Sequence, residues 1–426
     1  MKKKAIFMIS VAALAWLTAC KDDGTESSSA AHDPSSPVTV DFFMPDSGRI
    51  REKVIIKGEN FGNDLSKVEV YFVDALTERA ATVIGVDNNT IYCLAPRQLD
   101  GKNAVKVVVH GKEVTAATRF GYTVAENVST ISGSASSTGL VDGTLATAKF
   151  SYIHGIAAIG NESVLVFQRD NASVRLVSVP DNAVVTVHNG FQAAGPAVTE
   201  DKTRVYAAGW NSPHVVYAYT KAAGWAPTRV GQLGTQFSGR IRGLALDANE
   251  EWLYFCDANG QFARFEIATQ RVEMLNANTG AATSDGNYII YNPFDGYFYA
   301  ACANKFGIYK ISPDGTEVIP YAGFNGAAVV NGYVDECAFA QPNGLALDED
   351  GNIFVCDGFN AYVIRKISVI NNYVSIVAGA INVAGQVDGN PMDARFNYPY
   401  DIANDGEGNY WIAEGWGCAV RRYAVE

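Results

Sequence analysis

Apolar side chains along this chain come in short runs broken by Gly, Asn and Asp, and the runs alternate with period two or are apolar throughout. Such a pattern predicts strands and tight turns, with no segment carrying a long 3.6-residue stripe. Between 38 and 124 the runs at 54–57, 68–72, 90–93 and 104–109 lie at the spacing of a small sandwich. Beyond 128 an internal repeat takes over. Gly-x-Val-Asp followed by Ala-x-Phe or Ala-Phe occurs at 139–150, 332–339 and 385–396, and each copy leads into a strand beginning near 153, 342 and 398. A Gly/Asn turn, a second strand (351–357, 408–414) and a third (363–367, 420–423) follow. Units of about 40 to 50 residues holding four short strands predict propeller blades. The reading gives six, with inner strands starting near Gly155, Pro196, Gly243, Tyr288, Gly344 and Asp401. The last unit ends after its third strand, whereas an unpaired strand at 128–133 matches the fourth strands at 318–323 and 374–379. It is therefore expected to complete the last blade and close the ring, which removes exposed edges.

The first residues read differently. Lys2, Lys3 and Lys4 precede an apolar stretch from Ala5 to Leu17 that is too short for a mature bilayer span, and it ends in Leu17-Thr18-Ala19-Cys20. This resembles the bacterial lipobox. The resemblance implies a leader at 1–19 and a lipidated Cys20 as the attachment point to the membrane. Lys21-Asp22-Asp23 is similar to the acidic export signal of lipoproteins in Gram-negative gut anaerobes, which implies the outer membrane and a position facing the cell exterior. Residues 20–37, rich in Ser, Asp, Ala and Pro, read as a flexible tether.

Composition narrows the partners. Of 426 residues, 33 are Lys or Arg and 45 Asp or Glu, a net charge of −12, and without the leader's three lysines it is −15. No basic stretch follows the leader, so a nucleic-acid surface is excluded and a polyanionic glycan is disfavoured. Besides Cys20 there are Cys93, Cys256, Cys302, Cys337, Cys356 and Cys418, with no CxxC pair. Cys256 and Cys356 stand inside apolar strand runs, which favours buried free thiols over disulfides or a metal site.

Two resemblances sharpen the architecture. Pro45-x-x-Gly48, Gly58-x-x-Phe61-Gly62, Val70-x-Phe72, Ile91-x-Cys93-x-x-Pro96 and Phe120-x-Tyr122 resemble an IPT/TIG domain, which implies an immunoglobulin-like sandwich over 38–124 that usually serves as a spacer. Residues 49–52 lack the second glycine usual in that family's first loop, leaving the loop conformation open. The repeats of 128–426 resemble NHL repeats, clearest at 339–379, which implies a six-bladed propeller closed by strand 128–133. The expected fold class is thus all-β throughout.

In a propeller, loops entering the inner strands and loops joining second to third strands share one face around the channel, the default place for a ligand. The entry positions hold His154, Arg242, Asn343 and Tyr400. The second-to-third loops hold Arg169 and Asn171, Trp210 and Asn211, Asp257, Asn304, Asp357 through Asn360 with Phe359 among them, and Glu414 through Trp416. Flat rings beside Asn, Asp and Arg suit sugars, whose C–H faces stack on rings while their hydroxyls take paired donors and acceptors. Trp210, Phe359 and Trp416 are the stacking candidates, and Arg169 and Arg242 could pair one carboxylate. Asp257, Asp357 and Asn360 are read first as turn caps, which the resembled family also uses to tie adjacent blades together.

The leading functional expectation is a surface lipoprotein that binds an extracellular carbohydrate or glycoconjugate, with outer-membrane transport proteins as further partners. One competing expectation is a propeller hydrolase or lyase using His154, Arg242 and Tyr400. Catalytic residues are otherwise unassigned, no cofactor is implied, and calcium stays open because oxygen donors abound on this face. Of five histidines only His154 falls in the channel register, which is too few for zinc. The other competing expectation is a protein-interaction scaffold. The acidic string 348–352 is read as a hairpin turn, not a calcium loop.

Overall fold

The computed structural model describes residues 30–74, 77–98 and 100–425; Cys20 and the leader lie outside them. Backbone contacts divide the chain into two compact units.

The smaller unit packs two antiparallel sheets. One orders Thr39–Met44, Lys53–Glu59, Thr90–Leu94 and Thr82–Asp87, and the other Ser47–Gly48, Lys112–Tyr122, Gly101–Val109, Val68–Val73 and Glu78–Ala80. Alternate residues face inward, so Val54, Ile56, Val70, Phe72, Ile91, Cys93, Val105 and Val107 are all fully buried between the sheets. In the loop that lacks the second glycine, Arg51 takes φ +63°, the left-handed conformation glycine adopts more readily.

The larger unit holds, among the described residues, six antiparallel sheets, numbered I to VI in chain order. Their inner strands are Ile153–Ala158, Ala197–Val198, Ala245–Leu246, Tyr288–Asn292, Pro342–Leu347 and Pro399–Asn404, and three more strands follow in sequence order in sheets I to V, with Gly332–Tyr333 added at the outer edge of sheet V. In sheet VI the fourth place, beside Ala419–Val425, is taken by Glu126–Gly133 from the far end of the unit. Each inner strand packs beside the next, and that of sheet VI beside that of sheet I. Buried side chains cluster between successive sheets, for example Leu165, Phe167 and Val174 of sheet I with Val205, Ala207 and Tyr219 of sheet II. The same holds between sheets VI and I, where Trp411 and Val420 meet Ile156 and Val164. Covering on both faces explains why second strands read as unbroken apolar runs: Val164, Leu165, Val166 and Phe167 are all 0% exposed. Each such side chain stabilises by roughly 1.5–3 kcal/mol.

The repeated motif is held by an arginine in the third strand. Arg175, Arg365 and Arg421 are 0% exposed. Each guanidinium lies over a motif phenylalanine, Phe150, Phe339 or Phe396. Arg421 donates to the carbonyls of Val387 (3.0 Å) and Arg395 (2.9 Å) and to Asp388 (2.9 Å). Arg175 does the same to Val141, Lys149 and Asp142, and Arg365 to Val330, Ala338 and Asn331. This corrects the register of the middle repeat. The residue matching Asp142 and Asp388 is Asn331, four positions before Asp335, because the amide of Ala328, like those of Gly139 and Gly385, bonds the carbonyl of the motif phenylalanine. The turn at 348–352 is a hairpin, with Asp348 accepting from the amides of Asp350 and Asn352.

Candidate functional site

Three inner strands carry a bulge where they begin. The pairing register slips between Ile153 and Gly155, between Pro342 and Leu345, and between Pro399 and Asp401. A bulge leaves one residue outside the ladder and re-aims its side chain. The residues within these slips include His154, Asn343 and Tyr400. Gly344 is required beside them, since a Cβ there would lie 2.3 Å from Asp401 Oδ1. Tyr152, Arg240 and Tyr398 stand two residues before His154, Arg242 and Tyr400, and the rings of Tyr152 and Tyr398 pack against those of His154 and Tyr400.

The result is a cavity of about 210 Å³ lined by His154, Arg169, Gln192, Trp210, Asn211, Arg240, Asp285 and Tyr400. His154 is 1% exposed. Its ring stacks on Tyr400 at 4.6 Å and 18°, lies 4.4 Å from Trp210 and meets the edge of Tyr152 at 5.0 Å. Neither imidazole nitrogen has a partner, and neither does Trp210 Nε1. Burial first, then the cations of Arg242, Arg169 and Arg240, hold His154 well below its usual pKa, so the ring is neutral. Tyr288 donates its hydroxyl to the His154 carbonyl, and burial keeps the Tyr288 and Tyr400 phenols protonated.

Charge at the cavity is arranged around Asp285. Arg240 Nη1 stands 2.6 Å and Arg242 Nη2 3.0 Å from its two oxygens. Arg242 is 4% exposed, lies 5.1 Å over the Tyr400 ring, reaches Asn343 Oδ1 at 3.5 Å and leaves Nε without a partner. Arg169 lies 4.0 Å over Tyr152 and pairs with Asp170 at 2.6 Å. Desolvated aromatic faces hold these cations without further carboxylates.

Of the residues expected from sequence, His154, Arg169, Trp210, Asn211 and Tyr400 share this cavity, with Arg242 and Asn343 packed behind it. Phe359 and Trp416 stand on the surface, 40% and 45% exposed, edge to face at 5.4 Å. Ring contacts continue from Trp416 to Tyr398 (4.7 Å), Tyr400 (5.0 Å) and His154. Asn304 falls elsewhere, in a second cavity of about 430 Å³ with Phe306, Gln341, Phe359 and Asn360. Asn171 is exposed and lines neither cavity. Asp257 caps a turn, accepting from the amides of Asn259 (3.0 Å) and Gln261 (2.8 Å).

Asp357 bonds the amides of Ala340 and Gln341 and the Arg365 guanidinium, all within its own sheet or its entry. The tie between sheets comes instead from Asp401, whose Oδ2 accepts the Ile156 amide of sheet I at 3.0 Å. The expected tie between blades is corrected to this residue, whose strand packs beside the inner strand of sheet I and brings its carboxylate to the Ile156 amide. Sequence reasoning missed Arg240, Asp285, Gln192 and the tyrosines 152, 288 and 398. Two-residue spacing from His154, Arg242 and Tyr400 could have found Tyr152, Arg240 and Tyr398. Asp285 lies before the fourth repeat, where the pattern has decayed. Among the described residues no group of three His, Cys, Asp or Glu is placed to hold a metal.

Residues 37–122 match the IPT/TIG domain model. A crystal structure of a protein of unknown function from Bacteroides thetaiotaomicron is 56% identical, with a TM-score of 0.87, covering 93% of this chain and 100% of that one. The chain belongs to that protein's family. Two structures whose sequences are 20% and 21% identical share the fold: auxiliary nutrient binding proteins from Bacteroides ovatus (TM-score 0.61, 93% of this chain and 100% of that one) and from Bacteroides thetaiotaomicron (0.60, 93% and 99%). No curated protein matches. The family is thus all-β, carries an IPT/TIG domain and has fold neighbours named as nutrient binders.

Proposed function

We propose that this protein is a ligand-capture lipoprotein of the outer surface, anchored through Cys20, in which a six-bladed propeller of sheets I to VI presents the site and the IPT/TIG domain is a spacer. The ligand class is an extracellular carbohydrate or glycoconjugate. The observation that carries this reading is the cavity where buried, unpartnered donors of His154 and Trp210 meet arginines, continuous through ring contacts with the exposed Trp416. Buried donors without acceptors cost stability unless a ligand completes them, each by roughly 1–3 kcal/mol. The exposed rings offer the flat faces that pyranoses stack on. The names of the fold neighbours agree with nutrient capture. A calcium-assisted hydrolase fits this cavity less well, since a divalent cation would meet three guanidinium groups, with Asp285 already shared by two of them and Asp170 already paired with the third.

Calorimetric titration of the detergent-purified full chain against neutral and acidic plant and host glycans, with and without calcium, tests the reading. Saturable binding that weakens in Trp416→Ala at unchanged melting temperature is expected. Silence across the panel, with an outer-membrane protein co-purifying, would replace capture by a scaffold role.

A further inference from the structure

The cavity carries a positive excess in an acidic protein. Among the residues that line it, Arg169 and Arg240 bring two positive charges and Asp285 one negative charge, while His154 is neutral. A single negative charge would balance the site. Two of its buried donors lack acceptors: Trp210 Nε1 can only donate, and one nitrogen of the neutral His154 carries a hydrogen with nothing to receive it, while the other offers a lone pair. Trp210 is 7% exposed and His154 1%, so bulk water reaches neither freely. At about 210 Å³ the cavity is smaller than the roughly 300–1,000 Å³ of sites that enclose a whole ligand, so it has room for one functional group.

We propose that this cavity is an oxyanion subsite, receiving the single carboxylate or sulfate of an acidic sugar whose ring lies outside it toward Tyr398 and Trp416. The inference rests on reading the cavity as a ligand site and adds the chemistry of the recognised group. Arg240, half exposed and able to leave Asp285, supplies the movable guanidinium for a bidentate contact. Trp210 Nε1 and His154 donate from the buried side. Arg242, fixed by Asp285 and three aromatic rings, provides the field. One charge is recognised, not a polyanion, because beyond these three arginines the protein's charge is strongly negative.

The test is calorimetry on the detergent-purified full chain with matched sugars: galactose against galacturonic acid and galactose 6-sulfate, glucose against glucuronic acid and glucose 6-sulfate, each also as short oligomers. At least one acidic member should bind about tenfold more tightly than its neutral partner, with the advantage shrinking as salt rises. Which acid gains, carboxylate or sulfate, identifies the source of the oxyanion. Arg240→Gln, a change at a half-exposed side chain, should erase the advantage of the acidic member over its neutral partner. Trp210→Phe keeps the ring and removes only the donor, and should reduce the advantage in the same direction. Equal affinity for acid and neutral partners would overturn the oxyanion subsite while leaving ligand capture standing. Absence of binding by every member would overturn both.

Discussion

Asp401 gives the sharpest test of how the larger unit is held together. It is 4% exposed, accepts the Ile156 amide across the join of sheets VI and I, and is pushed up to about 7 by burial from an ordinary 3.8. A raised carboxylate pKa means that the folded chain keeps a proton that the unfolded chain has lost between about pH 4 and 7. Stability therefore falls as pH rises through that window. A shift of about three units corresponds to about 4 kcal/mol, complete above pH 7 and absent below pH 4. Asp401→Asn keeps the size and an acceptor oxygen for Ile156 but cannot ionise. The stability difference, variant minus parent, should rise by about 4 kcal/mol between pH 4 and 8. Asp357, raised to about 6, and Glu414, raised to about 7, have the same sign but are present in both proteins and cancel. Urea unfolding followed by tryptophan fluorescence is the assay. Once residues 1–19 are removed, the remaining tryptophans, 210, 225, 252, 411 and 416, all lie in the larger unit, so the signal reports it alone. A difference that stays constant from pH 4 to 8 would refute the burial argument.

Gly344→Ala should lower the urea midpoint by about 1–3 kcal/mol in stability, because its Cβ would stand 2.3 Å from Asp401 Oδ1 and 2.4 Å from Asp401 Cα, atoms that cannot swing away. The His154 ring should show no titration by NMR between pH 8 and 6; with its folded pKa below the ordinary 6.5, its contribution is complete above that value and is lost as pH falls. The cysteines at 93, 256, 302, 337, 356 and 418 are buried and free, so a thiol reagent should react with them only after denaturant is added; rapid labelling of the native protein would contradict their burial.

Much of the architecture was legible in the residues because strand-forming runs and turn glycines are local signals. The antiparallel units, the strand expected at 128–133 as the missing fourth member of the last sheet and the buried thiols all follow from period-two patterning and counting. Register was harder. Gly332-x-Val334-Asp335 spells the repeat motif, yet the residue that works is Asn331, because the deciding partner is Arg365, some thirty residues on, bonding a carbonyl that every residue possesses.

By itself, then, the sequence determined which segments become strands, how many units they form and which loops carry polar and aromatic residues, since propensity and burial on alternating faces act within a few positions of each residue. Only the tertiary structure decided which of those loops meet. Bulges at the entries of the inner strands turned His154, Asn343 and Tyr400 out of their ladders. Packing brought Arg169, Trp210, Arg240 and Asp285, from four separate loops, to one cavity, sent Asn304 to another and left Asn171 in solvent. The charge balance there depends on Coulomb and desolvation terms between residues distant in sequence, which arise only once the sheets have packed.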